Sequence, residues 1–314
     1  MEKVDNIKLN KEMVLPEKIN VNNYKFAVLD QIKAADYTLK VIKDIDTSTG
    51  LDPSLGAIKE TDIFRLRRGL CLPSASASCI NWVVKNRLIG DDKGEIKVGD
   101  IYRILLPFHG RKDFSDIDSD RIEKGWLFAT PEGDVYHQAI VAFSEGLGVP
   151  ALPVVGFDSI STFKPILNRG GAVAVSLDNK FVIDHTLRNN NGLIEKTDTE
   201  WKILIEGPNG LESRKFEEGR HVVSVLDITE DDFAIIIDSF RLPQMSEESI
   251  ILKLPIKEID KYLNYSTGGS SRGILFAKNR NIFSSWKNKA AKVCVPEEII
   301  TTVKKDMKHS VFSG

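Results

Sequence analysis

The sequence is poor in cysteine, with Cys71, Cys79 and Cys294 the only three in 314 residues and no pair at CxxC spacing. An odd number without such a pair argues against a disulfide framework and against a structural zinc site. It points to a reducing compartment, the cytoplasm. Long apolar runs are also missing. The longest, such as ALPVVGF and FAIIIDSF, fall far short of the ~20 residues needed to span a bilayer. The N-terminus, MEKVDNIKLNKEM, carries charge where a secretion signal has an apolar core. Neither sign of charge dominates: 43 basic and 45 acidic residues leave a net charge of -2. That removes the electrostatic reason to expect nucleic acid or an anionic membrane as a partner.

Phosphate-binding glycine patterns are absent as well. RGG and STGGSSRG do not link a strand to a helix in the required order, so they read as turns and no nucleotide cofactor is expected. Asp184 and His185 are the only adjacent acid–histidine pair, and no second histidine stands at ligand spacing. No metal is expected either.

What is present is the composition of a soluble globular protein, 42% apolar and 28% charged, in a chain long enough to bury a large core. Residues 1–58 read as an N-terminal helical extension: a polar lead-in, then FAVLDQIKAADYTLKVIKDID with apolar positions at helical spacing, then the breaker TSTGLDPSLGA. Residues 59–285 read as the main domain and 286–314 as a C-terminal tail. Within the domain, VYHQAIVAFSEGLGVPALPVVGF predicts a helix ending at Gly146 and then a strand. ISTFKPILNRGGAVAVSLDNKFVIDH predicts a short helix and one or two buried strands, the last ending at His185. GRHVVSVLDITEDDFAIIIDSF has two β-branched runs around an acidic turn, the signature of a hairpin. IKEIDKYLNYS predicts a helix and RGILFAKN a strand. The stretches 109–125 and 186–218 read as loops that could cover a cleft. Helices come early and strands later, the pattern of an α+β fold with an antiparallel sheet packed beside a helical half.

The stretch GLCLPSASASCINWVV places Cys71 just ahead of Pro73 and a run of small residues. Proline suits the first helical position, where its missing N–H costs nothing. Ala75, Cys79, Trp82 and Val83 then recur at the spacing of one helical face. A helix beginning just after Cys71 is expected, and a thiol there feels unpaired N–H groups and the positive end of the helix dipole, which favour thiolate. The alternative is a packing cysteine, the commoner role of a free thiol.

A nucleophilic cysteine needs a base and a group to orient that base. Of the five histidines, His109 lies in a charged loop, His309 near the C-terminus and His137 within an ordinary helical pattern. His185, beside Asp184, and His221, at the start of the hairpin, remain. His221 has the better partner. Asp238 ends the second hairpin strand, and in an antiparallel hairpin that end lies beside the start of the first. A carboxylate emerging from an apolar strand is costly unless paired, and an imidazole N–H would pair it.

The order and spacing of these residues resemble the papain-like cysteine peptidases that trim double-glycine leaders from bacteriocins, and their free-standing relatives. CLPSAS is similar to the family's C-G-P-A-S motif. STFKPILNRGGAVAVSLDN resembles its helix, R-G-x-P-V, strand unit, and GRHVVSVLDITEDDFAIIIDSF its G-H-x-V-V-V … D-P hairpin. The likeness covers about residues 60–280. It implies a papain-like α+β fold with Cys71 as nucleophile, His221 as base and Asp238 as the orienting carboxylate, acting on a peptide or amide substrate. The family's oxyanion glutamine falls at Arg65, its glycine after the cysteine is Leu72, and its proline after the aspartate is Ser239. Arg65 thereby becomes the candidate oxyanion or substrate-carboxylate donor. Two other functions fit the same residues: an acyltransferase using the same acyl-enzyme, and a non-catalytic module that binds a peptide in its cleft.

Overall fold

The computed structural model describes residues 70–86, 95–108, 131–187, 194–196, 201–207, 210–215, 220–240, 245–246, 250–263, 271–286, 291–292 and 295–308. The expected helical extension at 1–58, Arg65, the loop at 109–125, His109, His309 and Cys294 lie outside them. Helix α1 (Cys71–Asn86) is followed by α2 (Val98–Leu105), α3 (Pro131–Gly146), strand β1 (Ala151–Val155) and the short α4 (Lys164–Leu167). Then come β2 (Ala172–Asp178), a wide π-helical turn (Val182–Leu187), and β3 (Ile194–Lys196), β4 (Trp201–Gly207) and β5 (Gly210–Lys215). Strands β6 (Arg220–Ile228), β7 (Phe233–Ile237) and β8 (Ile251–Pro255) lead to α5 (Ile256–Asp260) and β9 (Arg272–Phe276). The described chain closes with α6 (Asn281–Ser285), β10 (Ala291–Lys292) and α7 (Glu297–Lys308).

Seven strands form one sheet in the order β10-β1-β9-β2-β6-β7-β8, antiparallel throughout. Its central strands are apolar on both faces because both faces are covered. On one face Ala172, Ala174, Val222, Leu226, Ile274 and Phe276 meet α1, α2, α3 and α7. On the other, Val173, Val175, Leu177, Val223 and Val225 meet the segment around Phe157–Leu167, α5 and Trp286. The small side chains of Ala172 and Ala174 let α1 approach the sheet closely, and the Ser224 hydroxyl, on β6, donates to the Ala75 carbonyl of α1 at 3.0 Å. This contact sets the first turns of α1 against the middle of β6.

The hairpin forms as its sequence requires. Thr229 and Phe233 close the acidic turn, with Thr229 N–H donating to the Phe233 carbonyl at 2.8 Å and Phe233 N–H to the Thr229 hydroxyl at 3.1 Å. Asp232 takes a left-handed conformation (φ 59°), which a short polar side chain tolerates. A β-bulge between Val225 and Asp227 shifts the register, so Ile228 faces the same core as Val223 and Val225. Helix α3 stops where Gly148 turns left-handed (φ 75°) and Val149 N–H donates to the Ser144 carbonyl at 2.8 Å, a glycine-terminated cap.

The architecture is α+β, and four details differ from the sequence reading. Helix α1 begins at Cys71 itself, with Pro73 inside its first turn, and Ser74 N–H closes that turn on the Leu70 carbonyl at 2.9 Å. His185 lies in the π-helical turn, not at a strand end, because β2 stops at Asp178 and the chain turns there, with Val182 N–H donating to the Asn179 carbonyl at 3.0 Å. The 186–218 segment contains a three-stranded antiparallel sheet, β3-β4-β5, where a loop was expected. Residues read as a C-terminal tail are partly built into the fold: β10 pairs with β1, Ile299 and Val303 of α7 enter the core, and Trp286 Nε1 donates to the Thr162 carbonyl at 3.0 Å.

Candidate active site

Cys71 occupies the first residue of α1, where backbone N–H groups have no partner inside the helix. Its side chain is half-buried, whereas Cys79, two turns along the same helix, is fully buried. The difference in chemistry follows the difference in surroundings. Burial pushes the Cys79 thiol far above its ordinary range, and a hydrogen bond to Ser224 offsets this only in part. Burial also pushes Cys71 up, yet hydrogen bonding to His221 and its positive charge, with backbone hydrogen bonds at Val222 and Leu72, outweigh it and leave the thiol below its ordinary value.

His221 is the second residue of β6 and is 3% exposed, and Asp238 follows β7 directly and is 0% exposed. The imidazole Nε2–H donates to Asp238 Oδ1 at 2.6 Å. With Nε2 so engaged, Nδ1 is the ring nitrogen left for the Cys71 thiol. Burial disfavours a charged imidazole, but the charge of Asp238 and its hydrogen bond, joined by Cys71, raise His221 to about 10. The arrangement favours a thiolate–imidazolium pair backed by a carboxylate. The ring edge of Phe240 closes on the imidazole in a T-shaped contact, centroids 6.3 Å apart.

The carboxylate is fixed on every side. Asp238 N–H donates to the Ile250 carbonyl at 2.8 Å, which holds its backbone in the ladder beyond β7. Oδ1 also accepts the Phe240 N–H at 2.9 Å, the side-chain-to-backbone turn that aspartate favours at strand ends. Oδ2 accepts the hydroxyl of Thr186, from the π-helical turn and itself 1% exposed. Sequence reasoning did not single out Thr186 or Phe240. The Phe240 bond could be anticipated from an aspartate two residues earlier, but nothing local marks Thr186.

His185, the rival base, lies between Phe181 and Tyr262, with ring centroids 4.9 and 5.4 Å away. Its neighbour Asp184 accepts the Tyr262 hydroxyl at 2.9 Å. These residues anchor the π-helical turn to the segment after α5. His137 is buried in α3. Among the described residues no helix is long and apolar enough to cross a membrane, and no cluster of three or more His, Cys, Asp and Glu side chains is arranged to hold a metal.

Comparison with family models, with curated proteins and with solved structures finds no match for this chain. The functional reading therefore rests on the geometry of the site.

Proposed function

We propose that this protein is a cysteine hydrolase of papain-like fold, a peptidase or amidase, in which Cys71 is the nucleophile, His221 the acid and base, and Asp238 the residue that orients the imidazole. The observation that carries the reading is the single chain of contacts from the Cys71 thiol through the His221 ring to the Asp238 carboxylate, set at a helix N-terminus. A charged pair of this kind is expensive to bury for packing alone. It supplies what acyl transfer needs.

In the proposed cycle the Cys71 thiolate attacks the carbonyl carbon of a peptide or amide bond, and the carbonyl π electrons move to oxygen. The oxyanion is held by N–H groups at the start of α1, with Arg65 as the candidate side-chain donor. As the tetrahedral adduct collapses, His221 gives its Nδ1 proton to the departing amine, leaving a thioester on Cys71. Water then loses a proton to His221 as it attacks the thioester carbonyl. Collapse releases the carboxylic acid and restores the thiolate beside the imidazolium. The cycle needs no metal or organic cofactor, and it needs a reduced thiol, in keeping with a reducing compartment such as the cytoplasm.

The test is a screen of peptide and amide substrates, together with labelling by an epoxide that traps active thiolates. Hydrolysis lost in Cys71→Ala, and labelling of Cys71 far ahead of Cys79 and Cys294, are the expected results. No turnover, with Cys71 labelled no faster than Cys79, would overturn the reading in favour of a peptide-binding module.

A further inference from the structure

The π-helical turn Val182–Leu187 divides three consecutive side chains between two places. Asp184 meets the Tyr262 hydroxyl at 2.9 Å, His185 makes a tilted contact with Phe181 and a T-shaped one with Tyr262, and Thr186 reaches inward to Oδ2 of Asp238. A π-helical turn is a rare geometry that recurs at functional sites. The first two contacts fix the turn to the body of the protein, and the third delivers a hydroxyl proton to a fully buried carboxylate. Asp238 Oδ1 already serves His221 and the Phe240 N–H. Without Thr186 the carboxylate is anchored through one oxygen only, and rotation about its own axis would carry Oδ1 away from the imidazole.

We propose that Thr186 is a positioning residue of this site, holding Oδ2 so that Oδ1 stays aligned with His221 and the Cys71 thiolate is maintained. The inference rests on the hydrolase reading of Cys71, His221 and Asp238, and it extends that unit to a fourth residue delivered by a separate element. The titratable groups that meet here are Cys71 from α1, His221 from β6 and Asp238 after β7, while Asp184 and His185 on the turn itself are engaged with Tyr262 and Phe181. Loss of a hydrogen bond to a charged, buried acceptor is felt strongly, because water cannot replace it.

The experiment follows alkylation of Cys71 by iodoacetamide against pH in the full chain, read on the Cys71 peptide by mass spectrometry so that Cys79 and Cys294 do not contribute. Thr186→Val keeps the shape and removes the hydroxyl, and Thr186→Ser keeps the hydroxyl. The valine variant should alkylate about tenfold more slowly at pH below the wild-type midpoint, and its own midpoint should move to higher pH. The serine variant should recover most of the rate. Thr186→Ala gives the same comparison should the valine fail to fold. Identical profiles in wild type and the hydroxyl-free variants, with a wild-type midpoint still displaced upward by His221→Ala, would overturn the role of Thr186 and leave the hydrolase reading standing. A wild-type thiol that titrates like a free cysteine and ignores His221→Ala would overturn both.

Discussion

Asp238 holds the imidazole of His221 at 2.6 Å, with side-chain exposures of 0% and 4%. The two residues lie at the open end of one hairpin, 17 positions apart in sequence, and the hairpin's register, with Ile237 opposite Ser224, brings them near each other. Asp238→Asn keeps the volume and loses the charge that favours an imidazolium. Turnover should fall by about 10²–10⁴, the usual weight of general acid–base catalysis. Alkylation of Cys71 at neutral pH should slow as well, measured with a chromogenic amide and with iodoacetamide in parallel.

Activity should follow a bell in pH. Cys71 is held below its ordinary value of 9.0 and His221 is raised to about 10. Below the acid limb the thiolate takes a proton and the nucleophile is lost. Above the alkaline limb, near 10, the imidazole has no proton to give the leaving amine. A kcat/KM profile with its acid limb at or above the titration of a free thiol would contradict the ion pair.

The same pair makes a signed prediction about stability. The folded His221 is raised from 6.5 to about 10, so its contribution is complete below 6.5 and is lost as pH rises through the folded value. Cys71, lowered from 9.0, acts in the opposite sense: its contribution is present above 9.0 and lost as pH falls through the folded value. Between the two titrations the effects oppose each other. Cys71→Ala removes the compensating group while Asp238 still raises His221. Its melting temperature should therefore fall more steeply than that of wild type between neutral pH and pH 9, as followed by calorimetry.

Arg65 lies outside the described residues, and its candidacy comes from its offset before Cys71. Removing an oxyanion donor typically costs a hundred- to thousandfold in turnover. Arg65→Ala should lower kcat and leave Cys71 alkylation intact, because alkylation forms no tetrahedral oxyanion. Arg65→Gln should restore part of the loss. A rise in KM with unchanged kcat would assign the arginine to a substrate carboxylate instead.

Gly171 tests the fold apart from the chemistry. A Cβ there would stand 2.7 Å from the Phe276 carbonyl oxygen and 2.9 Å from that of Ile166, both backbone atoms with little freedom to move. Gly171→Ala should cost about 1–3 kcal/mol, read by urea denaturation. The pH midpoint of Cys71 alkylation in the folded protein should stay in place.

The sequence by itself determined the features that depend on near neighbours: a helix beginning within a residue or two of Cys71, the Arg220–Ile237 hairpin, and through that hairpin the closeness of His221 to Asp238. Helical periodicity, a proline in a first turn and an acidic turn between β-branched runs are local signals, and hydrogen bonds within a few residues enforce them. Tertiary structure decided the rest. Cys71 meets a histidine 150 positions away only because small residues on β2 let α1 lie close to the sheet and Ser224 ties it at Ala75. Thr186 meets Asp238 only because the π-helical turn is held by Tyr262 and Phe181. The sheet within 186–218 and the entry of α7 into the core likewise depend on which surfaces find each other. Such contacts are chosen by burial of complementary shapes across long stretches of chain, and no short window of sequence carries that information.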